Sequence, residues 1–269
     1  ASGIMKSAGS VMFAMQLGQA LGKLSEEVLS AGDIGLPIFK EPRPAFVAQN
    51  LAELVDSLEE DSDQVYFYFV IRELAHARLF KQSKWLRDYT VNLITSYARE
   101  ISIDNSSIIE MSENFDPSEI SNIQKAFESG AFIAPRTPSQ TIALERIETV
   151  LALIEGWVDC VTQAATVRLP RSAAIAELVR RKRSSGGPAE KTFLTLIGLE
   201  LRPRKLREAS TMWNQITATV GIQKRDAIWS HPDLLPTEAD IADPTALIAK
   251  LSSASPEDDM DTALRDLLS

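Results

Sequence analysis

Residues 64–82 read QVYFYFVIRELAHARLFKQ, a stretch without Pro or Gly in which Val65, Phe67, Phe69, Val70, Leu74, Leu79 and Phe80 leave little of a helical circumference polar. At about 3.6 residues per turn, Val65, Phe69, Arg72, His76 and Leu79 share one face, and Tyr66, Val70, Glu73, Ala77 and Phe80 form the adjoining stripe. A helix of this kind is expected at the centre of a fold, with Arg72, Glu73 and His76 turned toward packed surroundings. Burying an unpaired charge costs several kcal/mol, so Arg72 and Glu73 each require a polar partner inside the protein.

Along the rest of the chain, apolar residues recur at i, i+3, i+4 and i+7, and alternating strand-like runs are scarce. The fold class is all-α, a compact multi-helix domain with two central buried helices, about 64–82 and 139–167. The first helix spans about 4–29 and carries Gly9, Gly18 and Gly22. Each glycine costs about 1 kcal/mol relative to Ala there, which close packing against another helix would offset. Pro37, Pro42 and Pro44 break the pattern before a helix at 44–58. Further helices are expected at 83–101, 116–130, 189–199, 204–220, 244–251 and 258–268, with a loop at 184–188. These divide into a helical region 1–252, with two lobes separable near 131–139, and an acidic C-terminal tail 253–269.

Composition narrows the function classes. A 45% hydrophobic chain of 269 residues can fill a core and is not a disordered polymer. The most apolar run, Val11 to Leu24, is interrupted by Gln16, Gln19 and Lys23, well short of the roughly 18 uncharged residues that span a bilayer. A net charge of -9 argues against nucleic acid or anionic lipid as general partners. Cys160 is the single cysteine, which removes intrachain disulfides and cysteine metal clusters and places the chain in the cytoplasm. As a residue on an apolar helical face, Cys160 reads as an inert hydrophobe, and Trp157, Trp213 and Trp229 read as packing anchors. The cluster Arg180-Arg181-Lys182-Arg183 suits a helix C-terminus through the macrodipole, with an anion site as the alternative.

In the second central helix, Glu155 and Asp159 lie one turn apart. Two His in HExxH offer nitrogen ligands to zinc from adjacent turns, the Glu serves as base toward the bound water, and a carboxylate from another helix completes three protein ligands. Arg72-Glu73-Leu74-Ala75-His76 keeps the Glu and the second His but has Arg at the first ligand position. A guanidinium has only donors and stays charged, so it neither ligates zinc nor tolerates a cation beside it. The plainer reading makes His76 a hydrogen-bonded core histidine and Glu73 the partner of an arginine. His231, the other histidine, reads as a turn residue before Pro232.

Further strings run through most of the chain: Ser30 to Pro37 (SAGDIGLP), Arg72 to Phe80 (RELAHARLF), Glu155 to Asp159 (EGWVD), Gly186 to Glu190 (GGPAE), Gly198 to Arg204 (GLELRPR) and Arg225 to Pro236 (RDAIWSHPDLLP). Together they resemble the actinobacterial zincin-like metallopeptidases of the second type, an all-helical family labelled as hydrolases or zinc-dependent metalloproteases. The resemblance implies His76 as a zinc ligand, Glu73 as general base, Glu155 as third ligand and Asp159 as outer support. Two readings follow. In one, the site is catalytically degenerate, with Arg72 paired to Glu155 or Asp159, no metal, and a fold kept for a protein partner. In the other, His76, Glu155 and either Asp159 or His231 hold zinc, and Glu73 activates water to cleave a peptide substrate.

Overall fold

The computed structural model describes residues 2–58, 62–101, 135–185, 194, 198 and 204–253. Among these, nine helices and no strand occur: α1 (Ser2–Glu27), α2 (Ala48–Asp56), α3 (Ser62–Gln82), α4 (Lys84–Arg99), α5 (Pro138–Ala165), α6 (Ser172–Ser185), α7 (Leu206–Ala227), α8 (Glu238–Ala242) and α9 (Thr245–Ser253). The all-α expectation holds. The helices expected at 116–130, 189–199 and 258–268 and the loop at 184–188 lie wholly or mainly outside the described residues.

The two central helices are α3 and α5. Thr137 starts α5 with a capping box: its side chain accepts from the Gln140 amide while the Gln140 side chain accepts from the Thr137 amide, and Pro138 follows at the first helical position. From Val150 to Cys160 every α5 residue is buried, because α3, α4, α6 and α7 all pack against it. Gly156 lets α7 approach closely: a Cβ there would stand 2.7 to 2.8 Å from Ala209 and the Ser210 amide. Trp157, Trp213 and Trp229 form the centre of this core, with Trp213 and Trp229 stacked at 5.5 Å. Trp213 Nε1 donates to the Leu153 carbonyl and Trp157 Nε1 to Asp226, so burial leaves neither donor unmet. A second core, from Leu51 and Val55 of α2, Val65, Tyr68 and Phe69 of α3, and Ile175, Ala176 and Val179 of α6, closes the other flank.

Several boundaries and faces differ from the sequence expectation. Pro44 does not begin a helix; residues 44–47 are non-helical and α2 starts at Ala48. The face carrying Val65, Phe69, Arg72, His76 and Leu79 is buried throughout, as the periodicity predicts. The rest of α3 is less enclosed than its apolar circumference suggested, since Phe67 and Leu74 are 49% and 46% exposed and Tyr66 and Val70 are exposed beside them. Nor do Gly18 and Gly22 of α1 serve close helix packing: among the described residues, a Cβ at either would meet nothing within 4 Å.

Candidate functional site

Arg72 and His76, one turn apart on α3, face Glu155 on α5. All three are buried: Arg72 is 5% exposed, His76 3% and Glu155 0%. Arg72 Nη2 donates directly to Glu155 Oε2. Burial alone pulls the Arg72 pKa down, but the Glu155 carboxylate, aided by Tyr68, Asp159 and Asp33, outweighs it and leaves the guanidinium above its ordinary value. His76 Nε2 lies 3.3 Å from Glu155 Oε1, yet it is misaligned for a hydrogen bond, and neither ring nitrogen has a hydrogen-bond partner among the described residues.

Glu73 points to a different set of groups. It is 2% exposed, and its two oxygens accept from backbone amides of the loop joining α1 and α2: Oε2 from Gly32 at 3.0 Å and Oε1 from Ala45 at 3.2 Å. The neck of that loop is closed by a bridge between Ser30 and Phe46, by the Val47 amide donating to the Leu29 carbonyl, and by Asp33 Oδ2 accepting from the Leu29 amide. Gly32 then sits against the imidazole, where a Cβ would come within 2.6 to 2.8 Å of the His76 ring. At Gly35 a Cβ would stand 3.1 Å from Glu155 Oε1. Loop 30–46 is thus a strap laid across the site and tied to α3 by Glu73.

Asp159 is buried one turn beyond Glu155 but does not touch Arg72 directly. Its Oδ2 accepts from Arg180 Nη1 at 3.1 Å, Gln163 Nε2 at 2.6 Å and the Ser210 hydroxyl at 2.6 Å. The first arginine of the basic cluster is therefore an internal partner, a role that charge clustering at a helix end does not reveal. Arg180, Arg181 and Arg207 also converge on Glu177, where hydrogen bonds from Arg207 and then Arg181 hold the carboxyl down at about 2. Tyr68, also absent from the sequence reading, is enclosed near Arg72, Asp159 and Arg180, and burial pushes its phenol up to about 12. Its spacing of four from Arg72 was the available signal.

His231 stands apart. Its side chain is 61% exposed, and Nδ1 accepts from the Asp233 amide at 3.3 Å as the cap of a short 3-10 turn. The structure does not bring it to Glu155. Cys160 is buried with its thiol donating to Asn214 Oδ1 at 3.2 Å, and burial raises its pKa.

These donors do not fit a zinc ion. Among the described residues no group of three or more His, Cys, Asp or Glu side chains is placed to hold a metal. His76 and Glu155 are adjacent, but the third direction is filled by a guanidinium that repels a cation.

The family to which this arrangement corresponds is established by sequence: the chain belongs to the zincin-like metallopeptidases, whose family profile matches residues 1–248. Among solved structures, one from Chloroflexus aurantiacus, described as that of "a putative hydrolase with a novel fold", is similar over 93% of this chain and 72% of its own. The TM-score is 0.67 at 21% identity, a likeness of fold. No curated protein is significantly similar to this chain. No helix among the described residues is long and apolar enough to cross a membrane.

Proposed function

We propose that this chain is a catalytically degenerate zincin in which Arg72 stands in place of the metal and the fold is kept for binding a protein or peptide partner. The observation that carries the reading is the direct contact between the Arg72 guanidinium and Glu155, the carboxylate that the family resemblance offers as a zinc ligand. A cation already neutralises that carboxylate, and an added zinc ion would have to displace or repel it. Glu73 supports the same reading, because both its oxygens accept backbone amides of the strap and so give it a structural role in tying the strap to α3. A single, buried thiol suits a reducing, cytoplasmic setting.

One observation favours the alternative of an active zinc hydrolase: among the described residues, the two buried ring nitrogens of His76 have no hydrogen-bond partners, as those of a ligand awaiting its metal would. A peptidase assay with zinc supplied separates the two. The parent chain is expected to cleave a mixed peptide pool no faster than Glu155→Gln. Arg72→His, which supplies the missing imidazole, is expected to take up zinc with an affinity that the parent lacks. Zinc-dependent cleavage by the parent, abolished in His76→Ala, would replace this reading with the active one.

A further inference from the structure

The side of α3 turned away from the buried Arg72 and His76 is open among the described residues: Phe67 and Leu74 are about half exposed there, and Val70 between them is exposed too. Single exposed apolar side chains are ordinary on a protein surface, but three in line on one helix face form a patch. The patch is the middle of a longer seam. Asp63, Phe67, Val70, Leu74, Ala77 and Lys81 follow one another at alternating steps of four and three residues, the repeat that keeps a straight stripe on a helix for a partner helix. Asp63 and Lys81, at its two ends, are exposed, and Ala77 is half-buried.

This seam is complementary to itself. Laid antiparallel on a second copy, about a twofold axis level with position 72, Val70 faces the partner's Leu74, Phe67 faces the partner's Ala77, and Asp63 faces the partner's Lys81. The largest apolar side chain thus falls opposite the smallest, and opposite charges meet at both ends. A parallel pairing would instead set Asp63 against Asp63 and Lys81 against Lys81. We propose that this face of α3 docks on the same face of a second copy of the chain, as an antiparallel helix pair with twofold symmetry. Burial of Phe67, Val70 and Leu74 supplies the attraction. The ion pairs at the ends stand in water, so they add little strength and set direction and register. Because the face lies on the far side of α3 from the contact between Arg72 and Glu155, the pairing goes beyond the metal-replacement reading and does not depend on it.

The test is sedimentation velocity of the full chain over a range of concentrations, with thermal melting of each variant beside it. One helix pair is a small interface, so the parent is expected to dimerise with a Kd on the order of 10 µM. Leu74→Glu sets a carboxylate against the partner's Val70 and is expected to weaken dimerisation by about tenfold or more. It should melt like the parent monomer, because Leu74 already stands half in water. Lys81→Glu, which opposes two carboxylates at each end, is expected to weaken the dimer severalfold, and Asp63→Lys/Lys81→Glu, which exchanges the charges, to restore it. That restoration distinguishes this register from adhesion of an apolar patch. A parent that stays monomeric at every concentration, a dimer indifferent to Leu74→Glu, or a charge exchange that restores nothing overturns the proposal. Where the parent is monomeric, a loss of stability in Leu74→Glu would assign the face to another segment of the same chain, and an unchanged melt would leave it to a partner of different sequence; both outcomes overturn the pairing of copies.

Discussion

Replacing Arg72 with Ala removes one member of an ion pair whose partner, Glu155, is 0% exposed. The loss has two parts. The first is electrostatic: Glu155 stays buried one helical turn from Asp159, and breaking a buried pair by removing one partner costs about 3 to 5 kcal/mol. The second is the volume of the arginine stem, which α3 and α5 would have to collapse around. His76, with Nε2 3.3 Å from Glu155 Oε1, can donate to the abandoned carboxylate, and this pulls the expected loss toward about 3 kcal/mol. For a chain of this size each kcal/mol lowers Tm by roughly 2 to 4 °C, so the variant should melt about 6 to 12 °C below the parent. Urea denaturation followed by circular dichroism measures the same loss at constant temperature. The double variant Arg72→Met/Glu155→Leu, which removes both charges and keeps the bulk, should recover most of it. An Arg72→Ala protein that melts within a degree of the parent would refute the account of Arg72 as an internal cation.

Other outcomes follow from the same contacts. Gly32→Ala places a methyl group against the His76 ring and should cost about 1 to 3 kcal/mol, read by urea denaturation, while Gly18→Ala on the open face of α1 should not destabilise. Glu177 has a folded pKa of about 2 against an ordinary 4.5, so its contribution to stability is fully present above 4.5 and is lost as pH falls toward 2. Glu177→Gln should therefore flatten the pH dependence of stability in that window, measured by urea midpoints. Tyr68, raised to about 12, favours the folded state below pH 10 and ceases to do so as pH rises through 12; Tyr68→Phe should remove an ultraviolet absorbance step near 12.

What the sequence made legible follows its periodicity. The helical face of Val65, Phe69, Arg72, His76 and Leu79 could be read because spacing along one helix determines which residues share a side, and the structure buries that whole face. The need for a polar partner at Arg72 followed from its place on a buried face. Choosing between Glu155 and Asp159 depended on the rotation of α5 and on what else competes for each carboxylate; Asp159 is engaged by Arg180 from α6 and Ser210 from α7, neither of which is close in sequence. Glu73 was harder still. Its partners are backbone amides 41 and 28 residues away, which carry no side-chain signature. The glycines of SAGDIGLP gave a hint, since a chain segment rich in glycine permits close approach, but the surface approached, His76, lies more than forty positions on. The exposed Phe67 and Leu74 show the opposite limit: an apolar side chain on a central helix is not enclosed unless another element reaches it.

The central claim, that a guanidinium occupies the place of the metal, is tested most directly by the zinc content of the full chain, purified without a histidine tag and without chelator and measured by plasma mass spectrometry. The account predicts far less than stoichiometric zinc, unchanged in His76→Ala, because Arg72 already neutralises Glu155. Stoichiometric zinc that disappears in His76→Ala would contradict it.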